Sequence, residues 1–150
     1  MTVRDALTAH YRRVGLLDAG ESLERRLTDR WVRATVGGRR IPIKPLLGHQ
    51  HAFALHDLHH LLTGCGTTFG EELDLAAWEL GSGGCGRWVL FWLNRFNAVL
   101  IGLVLRPAAI RRGWRDGRAA RNLYGWPLPS LLDLEIDRVR DYALTGGPLP

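Results

Sequence analysis

Residues 49–80, HQHAFALHDLHHLLTGCGTTFGEELDLAAWEL, decide the fold of this chain. Neither glycine nor proline interrupts the part from His49 to Leu62, so we expect a helix there. Gly64 and Gly66 follow and supply a stop, because glycine readily adopts the left-handed conformation that ends many helices. The stretch is therefore predicted to begin with one uninterrupted helix and a sharp turn.

A second helix is expected directly after this turn. Thr68 is followed three residues later by Glu71, which is the spacing of a capping box at a helix start. The helix should run from about Phe69 to Leu80, before the glycines that follow. Because the turn over residues 63–68 is short, we expect the second helix to fold back antiparallel to the first.

The rest of the chain also favours helices. Residues 3–17 place apolar side chains three and four positions apart, and residues 87–105 are the most apolar part of the chain. Further helices are expected over about residues 21–32 and from Ser130 to before Gly146, and an extended loop over residues 39–48. Since strand alternation is nearly absent, the predicted fold class is all-α, with residues 1–150 forming a single helical domain.

Composition and charge limit the classes of protein that need to be considered. The chain has 150 residues, 46% of them hydrophobic and 23% charged, which suits one domain with a real core. The formal net charge of +5 favours anionic partners, and Lys44 is the only lysine, so arginine carries nearly all of the excess. We find no nucleic-acid-binding signature and predict no nucleic-acid partner.

Several observations indicate a cytoplasmic protein. Two cysteines are too few for a disulfide scaffold, and the N-terminal residues contain no apolar secretory signal. The longest apolar stretch, Trp88 to Leu105, is interrupted by Asn94, Arg95 and Asn97, which argues against an integral membrane protein. The arginine-rich residues 106–121 are expected to form a solvated face or to contact an anionic membrane surface peripherally.

The chemistry of the chain is predicted to lie in residues 56–60, HDLHH. His56 and His60 are about one helical turn apart and share a face, and Asp57 can lean toward the same point. Two imidazoles and a carboxylate are natural ligands for a divalent metal. The next helix would deliver the fourth ligand, which places the metal site between two antiparallel helices.

Two neighbouring glutamates compete for the role of fourth ligand. Glu71 occupies the capping-box position opposite Thr68, so its carboxylate already has a partner. Glu72 is then free to point at the histidines, and eleven residues separate it from His60. We therefore prefer Glu72 and keep Glu71 as the alternative.

The spacing His-Asp-x-x-His, eleven residues, Glu resembles the metal motif of the Coq-four family of ubiquinone (coenzyme Q) biosynthesis. Residues 62–64 and 73–79 are similar to the turn and the helix that follow the motif in that family. The late segments 116–118, DGR, and 122–124, NLY, are also similar to it, so the resemblance covers roughly residues 45–145.

The resemblance implies a ligand set and an activity. It assigns the metal ligands to His56, Asp57, His60 and Glu72. It implies a metal-dependent enzyme that acts on an apolar, quinone-like or prenylated aromatic molecule, with oxidative removal of a carboxyl group, in a membrane-peripheral biosynthetic complex or homo-oligomer. The expected cofactor is a divalent metal ion, with zinc first and iron or manganese as alternatives.

Two other functions fit the same residues. The first is a metal-dependent hydrolase that modifies a secondary metabolite, in which His59 or Glu71 would be the general base for a metal-bound water. The second is a non-catalytic, lipid-binding scaffold of a biosynthetic complex with a structural metal. An open coordination position favours an enzyme, because four protein ligands usually close a structural zinc site.

Overall fold

The computed structural model describes residues 1–28, 32–36, 39–43 and 49–149, with residues 32–36, 39–43 and 49 described by their backbone alone. Within these ranges the chain forms eight helices and one antiparallel hairpin. The elements are α1 (Val3–Arg13), α2 (Leu23–Thr28), β1 (Val32–Val36), β2 (Arg39–Ile43), α3 (His49–Thr63), α4 (Phe69–Gly81), α5 (Val89–Leu105), α6 (Pro107–Arg118), α7 (Leu128–Leu131) and α8 (Ile136–Thr145).

The all-α prediction is confirmed, but the region before α3 differs from expectation. The helix expected over residues 21–32 ends at Thr28, and β1 begins at Val32. Part of the expected loop is strand β2, which pairs with β1 so that Val32 faces Ile43 and Val36 faces Arg39. Alternation over only five residues in each strand was too short a pattern to predict this hairpin. The remainder of that loop, residues 44–48, lies outside the described residues.

Helix α6 was not predicted, and Pro107 explains why. A proline within a sequence usually stops or bends a helix, but this one occupies the first position of α6, where its missing N–H costs nothing. Gly113 and Gly117 lower the helix propensity of the same segment. They are required by packing, since an added Cβ at Gly113 would lie 2.7 Å from the carbonyl oxygen of Asp74 in α4.

The C-terminal helix begins later than expected. The short helix α7 precedes it, and α8 begins only at Ile136 and ends at Gly146, whose φ of 79° is the left-handed glycine cap. Backbone contacts tie this region to the N-terminus: the Val3 N–H donates to Leu134 O at 2.9 Å, and Ile136 N–H donates to Met1 O at 3.0 Å. The first residues of the chain are therefore hydrogen-bonded to the segment between α7 and α8 and to the start of α8.

Two groups of helices meet at the candidate site. Helix α3 packs against α1, α2, α7 and α8, whereas α4 packs against α5 and α6. The larger core cluster contains Leu55, Leu58 and Leu131, and a smaller cluster between α4 and α6 contains Leu73, Ala77 and Ile110. Side chains that extend from α3 toward α4 therefore lie between the two groups.

Helix α5 is apolar on nearly all sides, yet it buries only a narrow face. Trp88 before the helix and Phe91 within it are buried, whereas Phe96 is 52% exposed. The other exposed large apolar residues of the helix are Val89, Leu90, Leu93, Leu100, Ile101, Leu103, Val104 and Leu105. Within the described part of the chain, no helix has both the length and the hydropathy needed to cross a membrane.

Candidate metal centre

Three side chains from α3 and α4 bring their ligand atoms together. His56 and His60 lie one turn apart on α3, and their Nε2 atoms are 3.2 Å from each other. Glu72 lies at the start of α4, with Oε2 at 3.3 Å from His56 Nε2 and Oε1 at 3.1 Å from His60 Nε2. Thr68 caps this helix, and the cap fixes the turn from which Glu72 projects. The structure therefore unites the predicted pair of histidines with the preferred glutamate.

The spacing of these atoms matches the size of a metal coordination sphere. With metal–ligand distances of about 2.1 Å, neighbouring ligand atoms lie roughly 3.0 Å apart at right angles and roughly 3.4 Å apart in a tetrahedron. The distance between the two Nε2 atoms, 3.2 Å, and the distances from them to the two oxygens of Glu72, 3.3 and 3.1 Å, lie within that range. A divalent ion would fit between them.

The other ring nitrogen of each histidine has its own acceptor. His56 Nδ1 lies 2.9 Å from Glu79 Oε1, and His60 Nδ1 lies 3.1 Å from the carbonyl oxygen of Cys65. A carboxylate and a carbonyl only accept, so both Nδ1 atoms carry the proton and donate. If a histidine is neutral, its Nε2 lone pair faces the Glu72 carboxylate, and either a bound cation or a proton on Nε2 stabilises that arrangement.

Glu79 organises the interior side of the site. This carboxylate is fully buried, and its Oε1 accepts from His56, from His59 Nδ1 at 2.7 Å and from the Tyr124 hydroxyl at 2.7 Å. The backbone N–H of Leu123 donates to His59 Nε2 at 3.0 Å, which completes the partners of that ring. Three parts of the chain, namely α3, α4 and the segment before α7, therefore converge on one oxygen.

The charges of the site follow from these contacts. Burial lowers the pKa of His56, but the charge of Glu79 and the hydrogen bonds to Glu72 and Glu79 outweigh it and raise this pKa to about 9. Burial would raise the pKa of Glu72 and of Glu79, yet the neighbouring histidines hold both pKa values well below the usual range of a glutamate. Both carboxylates are anionic at neutral pH.

No family model, curated protein or solved structure matches this chain. The resemblance of residues 56–72 to the Coq-four motif thus stays a prediction from the sequence. The support for a metal centre formed by His56, His60 and Glu72 is the arrangement of their side chains in this structure.

Asp57 is not part of this group, which corrects the expected set of four ligands. Its carboxylate lies beside the hydroxyl of Tyr11 in α1, and together with burial it raises the pKa of that tyrosine well above its usual value. Residue 57 is rotated about 100° around α3 from residue 56, and α1 packs on that side. The aspartate therefore serves the contact between α1 and α3.

The two predicted general bases also have other partners. Glu71 Oε2 accepts from the backbone N–H of Thr68 at 3.0 Å, so the capping box forms as expected. His59 is fully buried, and both of its ring nitrogens are used by Glu79 and Leu123. A role for either side chain in proton transfer to a substrate stays a prediction, without a contact that supports it.

Sequence reasoning missed Glu79 and Arg95 as parts of the site. Glu79 is seven residues after Glu72, which places both on one face of α4 two turns apart, and it is the only charged residue after Asp74 in that helix. Arg95 is the only charged residue of α5. The sequence did contain a signal for both residues, namely a single charged residue in an otherwise apolar stretch of helix. Such a residue is buried only where it has a partner, so it indicates a buried polar site.

Cys65 lies beside the centre, but its thiol is protonated. Burial, helped by the nearby charges of Asp74, Glu71 and Glu72, raises its pKa to about 11. The Sγ donates to the carbonyl oxygen of Glu71 at 3.2 Å. The contribution of Cys65 to the site is its backbone carbonyl oxygen, which accepts a hydrogen bond from His60 Nδ1 and so orients that ring.

Proposed function

We propose that this chain is a metal-dependent enzyme of the Coq-four type that acts on a quinone-like or prenylated aromatic molecule. The observation that carries the proposal is the convergence of three ligand atoms, from His56, His60 and Glu72, while Asp57 points elsewhere. Three protein ligands leave coordination positions open to a substrate, as in catalytic metal sites, whereas structural zinc sites usually have four.

Oxidative decarboxylation is the reaction that we favour. Replacing a carboxyl group on an aromatic ring by a hydroxyl releases carbon dioxide and is a two-electron oxidation, so it needs an oxidant such as dioxygen. Dioxygen would either become hydrogen peroxide, with the new oxygen atom coming from water, or supply that atom itself and release the other as water with two electrons from an external reductant. Two histidines and one carboxylate also bind iron in enzymes that use dioxygen. Zinc stays the first candidate for the resident ion on ligand type, and iron or manganese would suit this reaction. The side chain of Glu72 is 34% exposed, so the centre is open on that side.

The metal content of the purified protein tests this proposal. The protein would be incubated with zinc, iron(II) or manganese(II), desalted and analysed for bound metal, with its melting temperature measured in parallel. We expect about one ion per chain and a higher melting temperature, since a ligand that binds only the folded state stabilises it. His60→Ala and Glu72→Gln should lose both effects.

Glu71→Gln and Asp57→Asn are the matched controls. Glu71 is next to Glu72 in the chain, and Asp57 is next to His56, yet neither lies in the metal centre, so both variants should keep the ion. A wild-type protein that takes up no metal would refute the proposal. Loss of the ion from Glu71→Gln but not from Glu72→Gln would show that the wrong glutamate was assigned.

A second candidate function is a lipid-binding scaffold, and the exposed face of α5 favours it. Most large apolar side chains of this helix are exposed, among them Leu93, Leu100 and Val104, at 61 to 80%. Arg87 before the helix and Arg106 after it are exposed as well. An apolar surface between cationic ends is complementary to an anionic membrane surface, where lipid-soluble substrates also reside.

A further inference from the structure

Arg95 is a buried arginine with too few partners. It is 9% exposed and is the only charged residue of α5, where it shares the buried face with Phe91 and Gly102. Its Nη1 lies 3.5 Å from Glu79 Oε2 and 3.7 Å from Glu72 Oε2, within range of an ion pair. The guanidinium group therefore lies directly beside the metal centre.

These contacts leave hydrogen-bonding capacity unused. Within the described part of the chain, Arg95 Nε, Arg95 Nη1 and Glu79 Oε2 have no hydrogen-bond partner, although all three atoms are buried. Buried polar atoms are almost always hydrogen-bonded in folded proteins, and leaving one unpaired is costly. Among the described residues, Nη1 has only the long ion pairs to Glu79 and Glu72 and Nε has no acceptor, so the guanidinium group can bind a further acceptor.

The balance of charge indicates what kind of acceptor this is. Glu72 and Glu79 carry two negative charges, and Arg95 together with a divalent ion carries three positive ones, so one positive charge is left. A monoanion would neutralise the group, whereas a dianionic phosphate would leave it negative. Guanidinium groups bind carboxylates in a planar, two-point arrangement, and either unpaired nitrogen of Arg95 can form one together with Nη2, which makes a carboxylate the best match.

We propose that Arg95 and the metal ion together form a binding subsite for a carboxylate group of the substrate. The inference rests on the proposed function, which supplies both the ion and a substrate that carries a carboxyl group. Arg95 would then determine specificity: it would select anionic aromatic molecules over neutral ones and orient the carboxylate beside the open coordination positions.

Benzoate binding to the cobalt(II)-loaded protein tests the subsite. Cobalt is first confirmed by metal analysis, and benzoate is then titrated while the visible absorption of cobalt is followed, with neutral benzamide as the matched probe. We expect the wild-type protein to bind benzoate and to bind benzamide much more weakly. Arg95→Gln should lower benzoate affinity about ten- to a hundredfold, because charged hydrogen bonds are lost.

Two further variants keep the test decisive. Arg106→Gln removes an exposed arginine that directly follows α5 and pairs with Asp74 at 2.8 Å, and this variant should leave benzoate affinity unchanged. Arg95→Lys keeps the buried positive charge if the glutamine variant fails to fold, and should weaken benzoate binding because lysine lacks the planar fork. The inference would be overturned if the cobalt-loaded wild-type protein did not bind benzoate. It would also be overturned if the cobalt-loaded Arg95 variants bound benzoate with wild-type affinity. A wild type that binds no cobalt would instead refute the metal centre itself.

Discussion

At the scale of single residues, the oxygen Oε1 of Glu79 links the candidate metal centre to the rest of the protein. It accepts from His56 on the ligand side and from His59 and Tyr124 on the interior side. A carboxylate behind a ligating histidine fixes the orientation of the ring and makes its other nitrogen a better ligand. Glu79 is therefore a positioning residue that acts through His56.

We expect Glu79→Gln to lower metal affinity about ten- to a hundredfold, because the amide keeps the size of the side chain but removes the charge behind His56. Affinity would be measured by competition with a chromophoric chelator for zinc. Tyr124→Phe is the matched comparison, since it removes one donor to the same oxygen and leaves the charge in place, and its effect should be smaller. Equal affinity for Glu79→Gln and wild type would show that this carboxylate only fills space.

The residues of the site differ in how far the sequence could predict them. His56, His60 and Glu72 follow from helix geometry, because spacing within α3 and the capping box before α4 fix their directions. Glu79 and Arg95 depend on which helices pack together, and this information is not local. Asp57 was assigned wrongly because the side of α3 that faces α1 could not be known from spacing.

At the scale of helices, α4 and α6 approach one another so closely that glycine is required at the contact. An added Cβ at Gly117 would collide with the carbonyl oxygen of Trp78, and one at Gly81 would lie 2.6 Å from the carbonyl oxygen of Trp114. Since α4 carries both glutamates of the site, this contact also positions the metal ligands. Glycine also lowers helix propensity, so the sequence did not predict α6. The helix that holds α4 in place was therefore the hardest to predict.

Gly117→Ala should destabilise the protein by about 1–3 kcal/mol, because the obstructing atom is backbone and cannot rotate away. Urea unfolding followed by circular dichroism would measure the change. Gly125→Ala is the control, since an added Cβ there meets no atom within 4 Å, and it should change stability by less than about 0.5 kcal/mol. Unchanged stability of Gly117→Ala would contradict the close contact between α4 and α6.

At the scale of the whole molecule, apolar surface and positive charge lie on two neighbouring helices, α5 and α6. The exposed apolar residues are concentrated on α5, and α6 exposes Arg111, Arg112 and Arg115 together with Trp114, which is 43% exposed. The net charge of +5 acts in the same direction. Neither property determines the fold, and both are available for contact with a lipid surface.

Flotation with vesicles would test this contact. We expect the protein to bind vesicles that contain phosphatidylserine, to bind phosphatidylcholine vesicles weakly, and to lose part of its binding in high salt. Val104→Glu should reduce binding about tenfold, because it removes an apolar side chain that is 80% exposed and adds a repelling charge.

Leu144→Glu makes the same kind of change on α8, at a residue that is 37% exposed, and should leave vesicle binding intact. Light scattering after gel filtration would be run on the same samples. One result would contradict membrane binding: the wild-type protein binds neither kind of vesicle and forms dimers, and Val104→Glu is a monomer. The exposed face of α5 would then bind a second copy of the chain.

The way in which Glu79 is held has a consequence for the protein during its synthesis. The three metal ligands leave the ribosome early and close together, whereas Arg95 and Tyr124, which complete the surroundings of Glu79, are added later. A nascent chain would therefore present its candidate ligands before the groups that tune the site exist. Any ion that the protein takes up would then depend partly on which metals are abundant in the cell at that moment.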